Sequence, residues 1–117
     1  MSTTVRARRA TVRAAQRQGI RELPCWRIGP IAVTETSLGD FDLLAADCGL
    51  SIVKGVRDKD LAFRLARTLL REAPAAEWPR LDDPDPQSPL YATPEYIAWR
   101  DRVLPVMRRW FALGGAA

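Results

Sequence analysis

Six arginines, Arg6, Arg8, Arg9, Arg13, Arg17 and Arg21, fall within the first 21 residues, and no acidic side chain accompanies them. Guanidinium groups make forked contacts to phosphate or carboxylate better than ammonium groups do. The chemistry on offer is therefore polyanion binding. If residues 3–18 form a helix, Arg6, Arg9, Arg13 and Arg17 lie at i, i+3, i+7 and i+11, within about 60° of one another. Such a stripe matches a run of phosphates, each neutralised with counterion release and hence with a steep dependence on salt. A second basic row, Arg64, Arg67 and Arg71 at i, i+3 and i+7, would extend it. The competing readings are an acidic protein surface as the target, or a solvated tail and a solvated helix face. No aromatic residue precedes Trp26, so stacking of bases on the arm itself is not indicated.

Other chemistry-bearing residues point to no reaction. The chain has no histidine, which removes the commonest general base, the usual serine and cysteine triads and most zinc sites. Gly29, Gly39, Gly49 and Gly55 are scattered at turns and strand ends and form no phosphate loop. Cys25 and Cys48 belong to no CxxC pair and read as two reduced, buried thiols. Asp82, Asp83 and Asp85 lack the glycine and terminal glutamate of a calcium loop, and read as a solvated acidic turn. The expectation is a protein that is not an enzyme, with no cofactor and no metal.

The elements that must position these groups are organised around Cys25–Leu70. Trp26, Ile28, Ile31 and Val33 form a first extended run, with Gly29-Pro30 inside it as a bulge or edge feature. Ser37 to Asp40 reads as a hairpin turn leading to Phe41, Leu43 and Leu44. Leu50, Ile52 and Val53 read as a third short strand after the break at Cys48-Gly49. Asp58 is placed to cap a helix running to about Arg71. Its apolar residues, among them Leu61, Leu65 and Leu69, cover roughly 200°, so most of it is buried. Asp60 is placed to pair with Arg64.

Residues 72–94 hold six of the nine prolines and read as a long wrapping loop pinned by Trp78, Leu81, Leu90 and Tyr91. Thr93-Pro94-Glu95 opens a last helix that runs to about Leu113 and stops at Gly114-Gly115, with a bend or break at Pro105. Arg100 projects into its apolar face. Tryptophan and arginine are enriched at interfaces, so Trp99, expected to remain exposed, Arg100 and Trp110 are candidate partner-binding residues. Asp82, Asp83 and Asp85 join them as an acidic turn able to occupy a basic channel.

The fold class expected is α+β: a small antiparallel hairpin or three-stranded sheet packed on a central helix, with a C-terminal helix kinked at Pro105. Residues 1–21 form a basic arm carrying +6, and residues 22–117 a single domain with twelve basic against fourteen acidic residues. Pro24 marks their boundary. No apolar run is long enough for a membrane helix and the N-terminus lacks an apolar signal core, so a cytoplasmic location is expected. In size, basic arm and absence of catalytic equipment the chain resembles small accessory proteins of phages and mobile elements. That resemblance implies an inhibitor of a host nucleic-acid-targeting defence complex, such as an anti-CRISPR, and carries no site residues over. The expected partners are nucleic acid or a nucleoprotein complex, a protein surface, and a second copy in a homodimer. A structural subunit of a larger assembly is the third reading.

Overall fold

A computed structural model describes residues 7–16, 19–83 and 85–112. Five strands, β1 (Arg8–Gln16), β2 (Gly19–Ile28), β3 (Ile31–Glu35), β4 (Phe41–Ala45) and β5 (Ser51–Val56), form one antiparallel sheet in chain order. Two helices, α1 (Lys59–Glu72) and α2 (Pro94–Ala112), cover one face.

The architecture is α+β, with two more strands than expected. The helix expected at 3–18 is instead β1 over its described part. Val12 and Ala14 are buried while Thr11 and Arg13 are exposed, the period of two that a strand shows and a helix does not. Residues 8–16 of the expected arm are therefore part of the sheet, paired with β2 from Arg8↔Arg27 to Gln16↔Gly19. The run from Trp26 to Val33 is two strands. Gly29-Pro30 is the turn between them, closed by Ile28↔Ile31, with Gly29 at φ 56°, a left-handed value that glycine reaches without Cβ strain.

The β1–β2 hairpin leaves the plane of the other strands. β2 pairs with β3 only from Trp26↔Val33 to Ile28↔Ile31, and Pro24 has no N–H with which to prolong that ladder. The free part of the hairpin turns back over the face opposite the helices. There Val12, Ala14 and Cys25 pack on Ala32 and Leu44 as a second, small cluster. Gly49, in the β4–β5 connection, closes the roll: a Cβ at that position would stand 2.4 Å from the Arg13 carbonyl oxygen.

The main core lies on the other face, where Ile28, Ile31, Val33 and Leu43 meet Leu65, Leu69, Trp99 and Val103. Asp58 caps α1 as expected, accepting from the Leu61 N–H at 2.9 Å. At its other end the Arg102 guanidinium donates to the Glu72 carbonyl at 2.7 Å, where a cation complements the helix dipole. The wrapping loop is pinned as expected: Trp78 donates to the Ala73 carbonyl at 2.5 Å, Leu81 is buried, and Tyr91 bonds the Asp83 carbonyl.

Two expectations for α2 are corrected. The helix continues through Pro105 as one element, so the break expected as the alternative to a bend does not occur: Val103 and Val106 on either side are buried in the core and hold it across the one lost hydrogen bond. Trp99 is 6% exposed, since Trp78 from the loop covers its ring at 4.8 Å and Tyr96 stacks beside it at 5.7 Å. The expected stop at Gly114-Gly115 lies outside the described residues. Among those described, no helix is long and apolar enough to cross a membrane.

Candidate nucleic-acid interface

Register brings the two basic rows together around an aromatic residue. Arg9 on β1 stands directly opposite Trp26 on β2, and its guanidinium lies over the indole ring, 4.7 Å from the centroid. Lys59, the first residue of α1, places its ammonium over the same ring at 5.2 Å. One turn further along α1, Phe63 meets Trp26 edge-on at 5.9 Å, and Arg67 lies over Phe63 at 5.7 Å. Phe41 supports Trp26 from β4 at 6.4 Å. The result is a band of cations seated on rings, running from β1 across β2 to α1.

Arg13 shares the Arg9 face of β1. An offset of four residues is even, so it keeps the pair on one strand face at about 13 Å. Arg8 alternates to the other face. Of the first expected stripe, Arg6 and Arg17 lie outside the described residues. Arg64 and Arg71 are exposed on α1, and Arg71 donates to the Thr68 hydroxyl at 3.2 Å. The expected Asp60–Arg64 pair does not form.

Among the described residues, the ion pairs lie away from this band: Arg27–Asp47 at 3.7 Å, Arg80–Asp82 at 2.8 Å, Arg100–Asp101 at 3.6 Å and Arg102–Glu77 at 3.2 Å. Arg8, Arg9, Arg13, Lys59, Arg64, Arg67 and Arg71 form none among them. The Nε of Arg67 is buried with no hydrogen-bond partner. A hollow of about 200 Å³ beside Trp26 is lined by Arg9, Pro24, Cys25, Trp26 and Glu35, so the Glu35 carboxylate borders the band, as does Glu22, which stands opposite Arg13 across the β1–β2 ladder.

The residues expected at a protein interface are differently placed. Trp99 belongs to the core, Trp110 packs partly buried against it, and Arg100 is exposed beside Asp101. The acidic turn is occupied by its own chain. Asp82 pairs with Arg80, Asp83 accepts from the Asp85 N–H at 2.9 Å, and Asp85 accepts from the Gln87 N–H at 2.9 Å. The bond from the Asp85 N–H, reinforced by Ser88, holds the Asp83 carboxyl below its ordinary range.

Cys25 and Cys48 are free and buried, as expected. Burial pushes both thiols up, against the pull of Arg27 and Arg9 on Cys25 and of the Leu50 N–H on Cys48. Neither is poised as a nucleophile. No group of three or more His, Cys, Asp or Glu side chains among the described residues is arranged to hold a metal ion.

Residue spacing did not point to Trp26, Lys59 and Phe63 as members of the band. Lys59 and Phe63 do stand one helical turn apart, but their relation to Trp26 and Arg9 depends on strand register. Compared with protein-family models, with curated proteins and with solved structures, the chain matches none.

Proposed function

We propose that this chain is a non-catalytic binding protein whose basic face, Arg9, Arg13, Lys59, Arg64, Arg67 and Arg71, contacts nucleic acid. The observation that carries the reading is the gathering, around Trp26, of cations from β1 and α1 that have no ion-pair partner among the described residues. Clustered cations without intramolecular partners repel one another. A polyanion relieves that repulsion and gains from released counterions. The rings hold the cations in place from beneath while leaving N–H edges free to bond phosphate oxygens.

The test is binding of the full chain to fluorescent duplex DNA, single-stranded DNA and duplex RNA between about 50 and 200 mM salt. Alanine at Arg9, Arg13, Arg64 and Arg71, all exposed, should weaken binding, each true phosphate contact lowering the slope of log K against log salt by about one. Glu35→Gln, which removes the carboxylate bordering the hollow, should tighten it. Removal of residues 1–20 is unsuitable, because it deletes β1 and the small cluster under it. Absence of binding at the lowest salt, or a quadruple variant that binds as the parent does, sinks the proposal.

A further inference from the structure

We infer that the ligand is a nucleic-acid duplex gripped through its phosphates without reading of base sequence, an inference that rests on the nucleic-acid reading above. It follows from what covers the rings. A protein that binds single strands offers open aromatic faces on which successive bases stack. Here each ring of the band carries a cation instead: Arg9 and Lys59 lie over Trp26, and Arg67 lies over Phe63. The Trp26 ring is further closed by Phe63 at 5.9 Å and Phe41 at 6.4 Å. A base could stack on Trp26 only by displacing its cations. Those same cations are what would hold the strand.

The placement of the charges favours the same class. Arg9 and Arg13 are fixed along one strand and Arg64, Arg67 and Arg71 along one helix, so the cations hold set spacings. The separation of about 13 Å between Arg9 and Arg13 equals the rise of roughly four nucleotides of one duplex strand. A regular duplex presents its phosphates at fixed intervals to such an array. A flexible single strand would have to be ordered to match it, at an entropic cost that stacking would normally offset.

The experiment compares two short duplexes of unrelated sequence with each of their separated strands. It uses the full chain and the variants Arg9→Ala, Trp26→Leu and Trp26→Phe. The expected result is that both duplexes bind within about twofold of each other, more tightly than any separated strand, with Arg9→Ala lowering the salt slope by about one. Trp26→Phe should retain duplex binding because phenylalanine still seats the two cations. Tighter binding of single strands overturns the inference. So does an affinity that follows base identity and falls about tenfold in Trp26→Leu at unchanged salt slope, the size of loss expected for a stacking platform. Either outcome leaves the nucleic-acid reading standing. Absence of binding to every probe overturns both.

Discussion

Replacing Gly49 by alanine tests the roll of the sheet, on which the band of cations depends. Gly49 has φ 80°, and an alanine held in the left-handed region costs about 1–2 kcal/mol. Its Cβ would also stand 2.4 Å from the Arg13 carbonyl oxygen and 2.7 Å from the Ala14 Cα. Those are backbone atoms that cannot rotate aside, so β1 must move. Forced shifts of this kind cost about 1–3 kcal/mol, and the sum is about 2–5 kcal/mol. Gly39 supplies the control, with φ 86° and nothing within 4 Å of the added atom. Gly39→Ala should therefore cost only the backbone share, about 1–2 kcal/mol. With a urea m-value of about 2 kcal/mol/M, the midpoint should fall by about 1–2.5 M for Gly49→Ala and about 0.5–1 M for Gly39→Ala. The folded fraction of Gly49→Ala should also bind duplex more weakly, because Arg9 and Arg13 move with β1. Equal midpoint shifts in the two variants would refute the reasoning, since they would mean that β1 does not rest on the β4–β5 connection.

The remaining predictions concern the core, the loop and the thiols. Leu65→Ala, in the fully buried heart of α1, should lose about 2–5 kcal/mol. Leu38→Ser, at a side chain 88% exposed on the β3–β4 turn, should stay within about 0.5 kcal/mol by the same urea titration. Burial, followed by Cys48, pushes the Tyr91 phenol up to about 12. A raised folded value means that stability is complete below the unfolded value of 10.0 and is lost as pH rises toward about 12; Tyr91→Phe should flatten that alkaline decline, read by denaturation across the window. Cys25 and Cys48 should react slowly with a thiol reagent in the native protein and rapidly in denaturant, followed by absorbance. Fast labelling of the native chain would contradict their burial.

Legibility in the sequence followed the range of the interactions. The Asp58 cap, the turn at 37–40 and the Thr93-Pro94-Glu95 start of α2 are settled by contacts within a few residues, and each stands where it was expected. The turn shows why: the Thr36 hydroxyl donates to the Asp40 carboxylate, and the Gly39 N–H bonds back to the Thr36 carbonyl at 3.1 Å. β1 was hidden because its inward residues, Ala10, Val12 and Ala14, are small and the outward Arg9 and Arg13 flank a lone Thr11. The i, i+4 relation of Arg9 and Arg13 fits one face of a strand as well as one face of a helix. Trp99 was misjudged because the ring that covers it, Trp78, comes from an irregular loop whose path no local pattern encodes. The band around Trp26 required knowing that Arg9 pairs with residue 26 and not with a neighbour. A shift of one residue would have put Arg8 there and turned Arg9 to the opposite face.

That dependence on register explains how a chain with a modest net charge of +4 comes to present a concentrated basic surface. Acids are abundant, but the sequence places most of them after residue 34, and the fold then uses them locally. Glu77, Asp82 and Asp101 pair with arginines of the loop and of α2, Asp58 is taken up as a helix cap, and Asp83 and Asp85 are turned onto their own backbone. Pairing β1 with β2 carries the acid-free N-terminal segment to Trp26, and the packing of α1 on the same face brings Lys59, Phe63 and Arg67 to meet it. The rings are what make the meeting tolerable, since a cation over an aromatic face recovers about 0.5–1 kcal/mol at an exposed site without neutralising its charge. An ion pair in the same place would have stabilised the fold comparably and cancelled the field. Seating cations on rings stabilises the band and keeps its charge available to a polyanion.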